Sequence, residues 1–236
     1  MTMAFDGEAF VDEMRGELQA SGRTLDQADW VKRTQQGEAT KEDLVAWARQ
    51  HYHGVTYHTR RVLSAWVTRV PYEMTDGIID NIAEEVLGTT SKSGYGHLHW
   101  LFEFTRALGA PDEVITEATP NVEAVLSESF LYNLAHQRPW YEFQFGASLG
   151  IENQIPPAYI RAVEGFKHHY GHMLEADDYA FHTIYIMVDE DHGGHVGEFA
   201  ERYLDTDAKR RSARAAYFAG AEATRRCWDA YEGVSW

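Results

Sequence analysis

Residues 181–195 read Phe-His-Thr-Ile-Tyr-Ile-Met-Val-Asp-Glu-Asp-His-Gly-Gly-His. The apolar residues recur at helical spacing, and Phe181, Ile184 and Val188 flank one stripe. At 100° per residue, His182, Tyr185, Asp189 and His192 fall within about 80° of one another. An apolar stripe needs no such groups for packing. Ionisable side chains on a core-facing stripe are rarely buried unless paired, hydrogen-bonded or bound to a metal. Glu190 and Asp191 point away, and His195 belongs to the rim. The stretch therefore predicts one buried helix that carries part of a site.

Outward from it, the same period holds almost throughout. Helices are expected near 7–20, 40–69, 73–88, 96–108, 119–135, 138–153, 157–169, 174–203 and 207–231, with a shorter piece at 27–35. The chain is all-α, with six prolines and no convincing alternating strand. Thr40 followed by Lys-Glu-Asp is a helix start, a capping hydroxyl and then acids in the first turn. Pro156-Pro157 ends one helix and opens the next. Residues 88–96, glycine-rich and polar, form a helix connection that could also gate a site. With no repeat or long linker, residues 1–236 form one domain.

The 21 basic and 37 acidic residues leave a formal charge of −16. Such a chain is poorly suited to nucleic acid or an anionic membrane. Cys227 is the only cysteine, which excludes an intrachain disulfide. The N-terminus lacks a basic region followed by an apolar run, and no stretch approaches about 20 apolar residues. A soluble cytoplasmic protein is expected.

Twelve histidines is a high count, and several lie within apolar stretches. On the helix near 73–88, Ile78, Ile79, Ile82 and Val86 define the expected core face, with Glu85 at its edge and Glu84 pointing away into solvent. Glu152 follows Tyr141, Phe145, Ser148 and Leu149 along one helix side. His97 and His99 are 200° apart, so only one faces inward. His58 shares a stripe with His51, Val55 and Val62. Carboxylates with imidazoles and no thiolate set suit iron or manganese. A ferritin-type site would need two Glu-x-x-His motifs, and Asp189-x-x-His192 is the nearest match.

With these residues the chain resembles the heme-oxygenase-like diiron oxidases, relatives of the thiaminase-type and pyrroloquinoline-quinone-synthesis proteins. The likeness runs from about Trp30 to Tyr203. It rests on residues 37–55, on Asn81-Ile-Ala-Glu-Glu85 with the histidine twelve residues before Gly109, on the segment 151–171, and on Asp189-Glu-Asp-His192. It implies a heme-oxygenase-like bundle of about seven core helices. It also implies metal ligands at Glu85, His97, Glu152, Asp189 and His192, in preference to Glu84 and His99.

One position departs. The family pattern has a histidine four residues before the aspartate, where this chain has Tyr185. His182 could replace it, Tyr185 could ligate or hold a metal-bound water, or one metal position could be lost; His58 could compensate in each case. Relatives that build 4-aminobenzoate from their own side chains carry a lysine where this chain has Ala162, which argues against that activity.

The function that the resemblance implies is a non-heme diiron oxidase or oxygenase. It would use Fe(II), two ions, with manganese as an alternative, and O₂ as co-substrate. Its substrate would be a small amino acid, amine or fatty acid in a biosynthetic pathway, and the working form a homodimer. Arg60, Arg61 and Arg161 are candidates for a substrate carboxylate, since a guanidinium binds one bidentately. Two alternatives remain: a cofactor-free oxidase or cyclase using histidine acid–base chemistry, and a non-catalytic binding protein with a degenerate site.

Overall fold

The computed structural model describes residues 5–189 and 195–231, with the backbone alone at 188 and 189. Among these residues there is no strand, and thirteen α-helical segments follow one another. The first three are α1 (Gly7–Ser21), α2 (Asp29–Gln36) and α3 (Lys41–His51). The expected start of α3 is a full capping box. The Asp43 N–H donates to the Thr40 hydroxyl at 3.1 Å, and the Thr40 N–H donates to the Asp43 carboxylate at 2.8 Å.

The long helix expected over 40–69 runs on into α4 (Tyr57–Val67), but Tyr52–Thr56 between them is a π-turn. A second π-turn, Gln144–Leu149, follows α9 (Trp140–Phe143), and α8 (Val122–His136) precedes it. Such turns let a helix swing by one residue and recur at functional sites. Here each contributes a side chain, Val55 and Ala147, to the same internal cavity.

α5 (Thr75–Leu87) packs against α4 and α6 (His97–Ala107), and α7 (Asp112–Thr116) packs against α3 and α6. α10 (Ile155–His169) opens on Pro156 and Pro157, as the dipeptide predicts, and packs against α2 and α11 (Ala180–Asp189). Residues 174–179 are irregular and turn rather than the start of that last helix, and the Glu175 N–H donates to the Asp178 carboxylate at 2.7 Å. α12 (Val196–Tyr203) packs on α1, and α13 (Asp207–Asp229) closes the bundle. A Cβ on Gly220 of α13 would fall 1.9 Å from the Gly146 carbonyl, so the second π-turn and α13 meet backbone to backbone.

The centre of the core is a stack of rings. Trp30 lies face to face with Trp47 at 4.1 Å, and Trp228 meets both edge-on at 5.6 and 5.4 Å. All three tryptophans are fully buried. Aromatic pairs in these arrangements add about 0.5–1.5 kcal/mol each beyond the area they bury. No helix among the described residues is long and apolar enough to cross a membrane.

Candidate metal centre

α5 ends at Gly88, which takes the left-handed conformation (φ 64°) and donates its N–H to the Glu84 carbonyl. α6 begins nine residues later, with Gly96 as N-cap and His97 as its first residue. A Cβ on Gly96 would fall 2.3 Å from the Glu85 carbonyl, so only glycine lets the incoming chain press this closely onto α5. That approach places His97 against both glutamates. Its Nδ1 is 3.0 Å from Glu85 Oε1 and its Nε2 is 3.3 Å from Glu84 Oε1.

Glu84 is 1% exposed, which corrects the expectation of a solvated carboxylate. Its Oε2 accepts the N–H groups of Thr90 and Ser91 at 2.6 and 3.1 Å. Burial alone would raise its pKa, but the bonds from His97, Ser91 and Thr90 outweigh it and bring the carboxyl down to about 2. The face of α5 expected to enter the core also differs. Ile78 is buried, while Ile79 and Val86 are 50% and 45% exposed. The inward face is turned by roughly 100° from the most apolar one, toward Asn81, Glu84 and Glu85.

Glu85, His97, Glu152, Asn81 and Tyr185 share one internal cavity. Among the described residues, the rest of its wall is Val55, Thr59, Val62, Leu63, Leu131, Phe143, Ala147, Ile151 and Ile155, with no lysine or arginine. Its free volume is about 20 Å³, room for about one water molecule. Glu152 opens a short 3₁₀ turn, Glu152–Gln154, just after the second π-turn. Glu152 and Asn81 also line a larger outer cavity of about 450 Å³, bounded by Trp66, Met74, Gln144 and His195. These two side chains thus stand between an outer chamber and the inner one. Tyr185 lies over His97, with ring centroids 4.1 Å apart.

The other expected ligands are placed differently. His182 is wholly buried but does not line the cavity. It sits among Trp30, Trp47, Phe104, Tyr159 and Phe166, with ring centroids 4.7–6.1 Å away. Burial, and then the nearby His51, hold its pKa well below the ordinary value. His51 is brought down to about 3 by burial, while Trp228 Nε1 donates to its Nδ1 at 3.2 Å. His58 turns toward α8, with Glu128 at 3.6 Å and the Tyr132 hydroxyl at 3.3 Å, and also stays off the cavity. His192 lies outside the described residues, as does the side chain of Asp189.

None of the three arginines lines the cavity. Arg60 and Arg61 are exposed and stack on Tyr57, whereas Arg161 holds Gln35 and Asp26. The structure thus places all three candidates for a substrate carboxylate away from this cavity. The residues that sequence reasoning missed are Glu84 and Asn81. Glu84 is the neighbour of Glu85 and Asn81 lies one turn before it, on a helix face that hydropathy assigns to solvent.

In kind, the donors fit iron: two carboxylates and an imidazole opening onto one enclosed cavity, with a phenol beside them. Among the described residues, no group of three or more His, Cys, Asp or Glu side chains is drawn close enough to hold a metal ion. Glu85 and His97 are already in contact, Glu152 lines the same cavity, and the helix carrying Tyr185 leads on to Asp189.

Comparisons with known proteins agree with this architecture. The model of the iron-containing redox enzyme family matches residues 45–229. Among solved structures, a TenA homolog from Pseudomonas syringae superposes with a TM-score of 0.75 at 8% identity, covering 94% of this chain and 92% of that one. A CADD-like protein of unknown function from Nostoc punctiforme gives 0.73 at 16%, covering 97% and 99%. A domain of unknown function with a heme oxygenase-like fold from Shewanella denitrificans gives 0.72 at 15%, covering 95% and 89%. A comparison with curated protein sequences gives no match. The fold is heme-oxygenase-like and all-α, and the chain belongs to the iron-containing redox enzyme family.

Proposed function

We propose that the protein is a non-heme, O₂-dependent iron oxidoreductase that acts on a small, largely apolar substrate. The supporting observation is the convergence of Glu85, His97, Glu152 and Tyr185 on one apolar cavity, in a chain of the iron-containing redox enzyme family. Iron bound there, as two Fe(II) ions, would supply activation of O₂. Glu85 and His97 would hold it from the α5–α6 corner and Glu152 from the short turn that follows the second π-turn. Asp189 and His192, from the resemblance, would complete the set. Tyr185 would place a phenol hydroxyl beside the reacting centre, where it can hold or pass a proton.

Among the described residues, the mostly apolar wall carries no lysine or arginine to meet an anionic head group. It favours a hydrocarbon portion of the substrate at the reacting end. At about 20 Å³ the inner chamber is too small for any such molecule. On this reading substrate would reach it from the outer cavity past Asn81, a gating step that precedes chemistry. The partners on this reading are the small molecule and a second copy of the chain.

A metal-free reading also has support. His97 with a carboxylate at each ring nitrogen has the arrangement of an oriented acid–base pair. One experiment separates the two. The protein is supplied anaerobically with ferrous iron, its bound iron is measured, and O₂ consumption is followed. The proposal expects bound iron near two per chain and O₂ uptake that stops on chelation. A well-folded protein that binds no iron under these conditions would refute it and leave the acid–base reading.

A further inference from the structure

Glu84 is the most completely buried carboxylate beside the cavity, yet it does not line it. Each of its oxygens has a different task. Oε2 takes two consecutive backbone N–H groups, from Thr90 and Ser91. Oε1 faces His97 Nε2, while the other ring nitrogen, Nδ1, faces Glu85 and the cavity.

The loop it holds is unusual in its own right. Lys92 has φ 54°, the only non-glycine residue with positive φ among those described, and Gly88 and Gly94 are also left-handed. A Cβ on Gly88 would meet Ser93 Oγ at 2.2 Å and the Tyr95 carbonyl at 2.3 Å. The Ser91 hydroxyl bonds Ser93, whose own hydroxyl donates to Tyr95 at 2.7 Å. The loop is thus folded tightly onto the end of α5 around a buried anion that the protein itself supplies.

Resting on the iron reading above, we infer that Glu84 is a positioning residue that locks residues 88–96 to the His97 ring and presents Nδ1 to the metal. A histidine that binds metal through one nitrogen usually gives its other N–H to a carboxylate or carbonyl. That second contact fixes the ring and its tautomer, and its loss costs roughly 10–100-fold in metal affinity. Glu84 is placed to make this contact. Because its second oxygen belongs to the loop, order in the loop and metal at the site become linked quantities.

The test uses the full chain and cobalt(II) or zinc(II) as probe ions. Wild type and Glu84→Gln are titrated with cobalt(II), following the visible absorption of the bound ion. The amide in Glu84→Gln can still accept the loop N–H groups but turns an NH₂ toward Nε2, which favours the tautomer with its proton on Nδ1. The expected result is a 10–100-fold weaker affinity with an altered cobalt spectrum. Equal affinity within twofold and an unchanged spectrum would overturn the inference. A second measurement needs no variant: amide exchange of Thr90 and Ser91 in wild type, with and without zinc(II). Slower exchange on loading supports the link, and unchanged exchange opposes it. Wild type that binds neither ion would instead remove the iron reading on which the inference rests.

Discussion

His97 and His182 are buried to nearly the same degree, at 2% and 0% exposure, yet their surroundings differ in kind. His97 stands between two carboxylates at a helix start and opens onto a cavity. His182 is enclosed by tryptophan, tyrosine and phenylalanine rings. The first environment favours charge or a metal, and the second favours a neutral ring. Burial of a histidine is therefore a weak sign of function, whereas burial with anionic partners is a strong one.

The sharpest way to break the comparison is to exchange the two histidines' fates. His97→Ala is expected to lower iron affinity by at least about 100-fold, as loss of a metal ligand should exceed the 10–100-fold cost of losing its supporting contact. His182→Phe should retain iron. Metal analysis of the two purified variants checks both. Iron lost from His182→Phe but kept by His97→Ala would reverse the assignment.

The second prediction concerns the ring stack. Trp47→Ala removes the face that His182, His51 and Trp30 share, and should cost about 3–5 kcal/mol in denaturant unfolding. A loss below 1 kcal/mol would show that the stack relaxes freely.

Third, the two regions should respond to acid in offset, partly overlapping windows. His182 and His51 have folded-state pKa values below the ordinary 6.5, so their stabilising effect is complete above that value. It is lost as pH falls from 6.5 toward about 3, where the unfolded chain takes up protons that the folded one refuses. Glu84, lowered from 4.5 to about 2, loses its contribution only between those values. Unfolding curves measured against pH should show His182→Phe flattening the upper window and Glu84→Gln the lower. The smallest effect is expected at Arg60→Ala and Arg61→Ala. Both side chains are exposed, and stability should change by less than about 0.5 kcal/mol, with no change in iron content.

The legible parts of the fold were those controlled by local chemistry. Thr40 with Asp43, and Pro156 with Pro157, mark helix starts whatever lies elsewhere in the chain. The two π-turns were not legible, because the one-residue swing at Tyr52–Thr56 and Gln144–Leu149 depends on what packs against it. Glu85 and His97 came from the family resemblance, with periodicity in support. Glu84 was misread because the most apolar face of α5, carrying Ile79 and Val86, is not the face that enters the protein. At the other end of the site, helical angle placed His182 and Tyr185 correctly on the inward side. Angle could not tell that one meets the rings of α2, α3 and α6 while the other meets His97.

The central claim is that metal binds at the α5–α6 corner and not among the rings. The most direct test is an anomalous-scattering map of crystals soaked anaerobically in ferrous iron. The account predicts iron peaks within coordinating distance of Glu85, His97 and Glu152, with Glu84 beyond them on the far side of the His97 ring. A peak coordinated by His182, or a map with no iron in the cavity of a fully ordered protein, would contradict it.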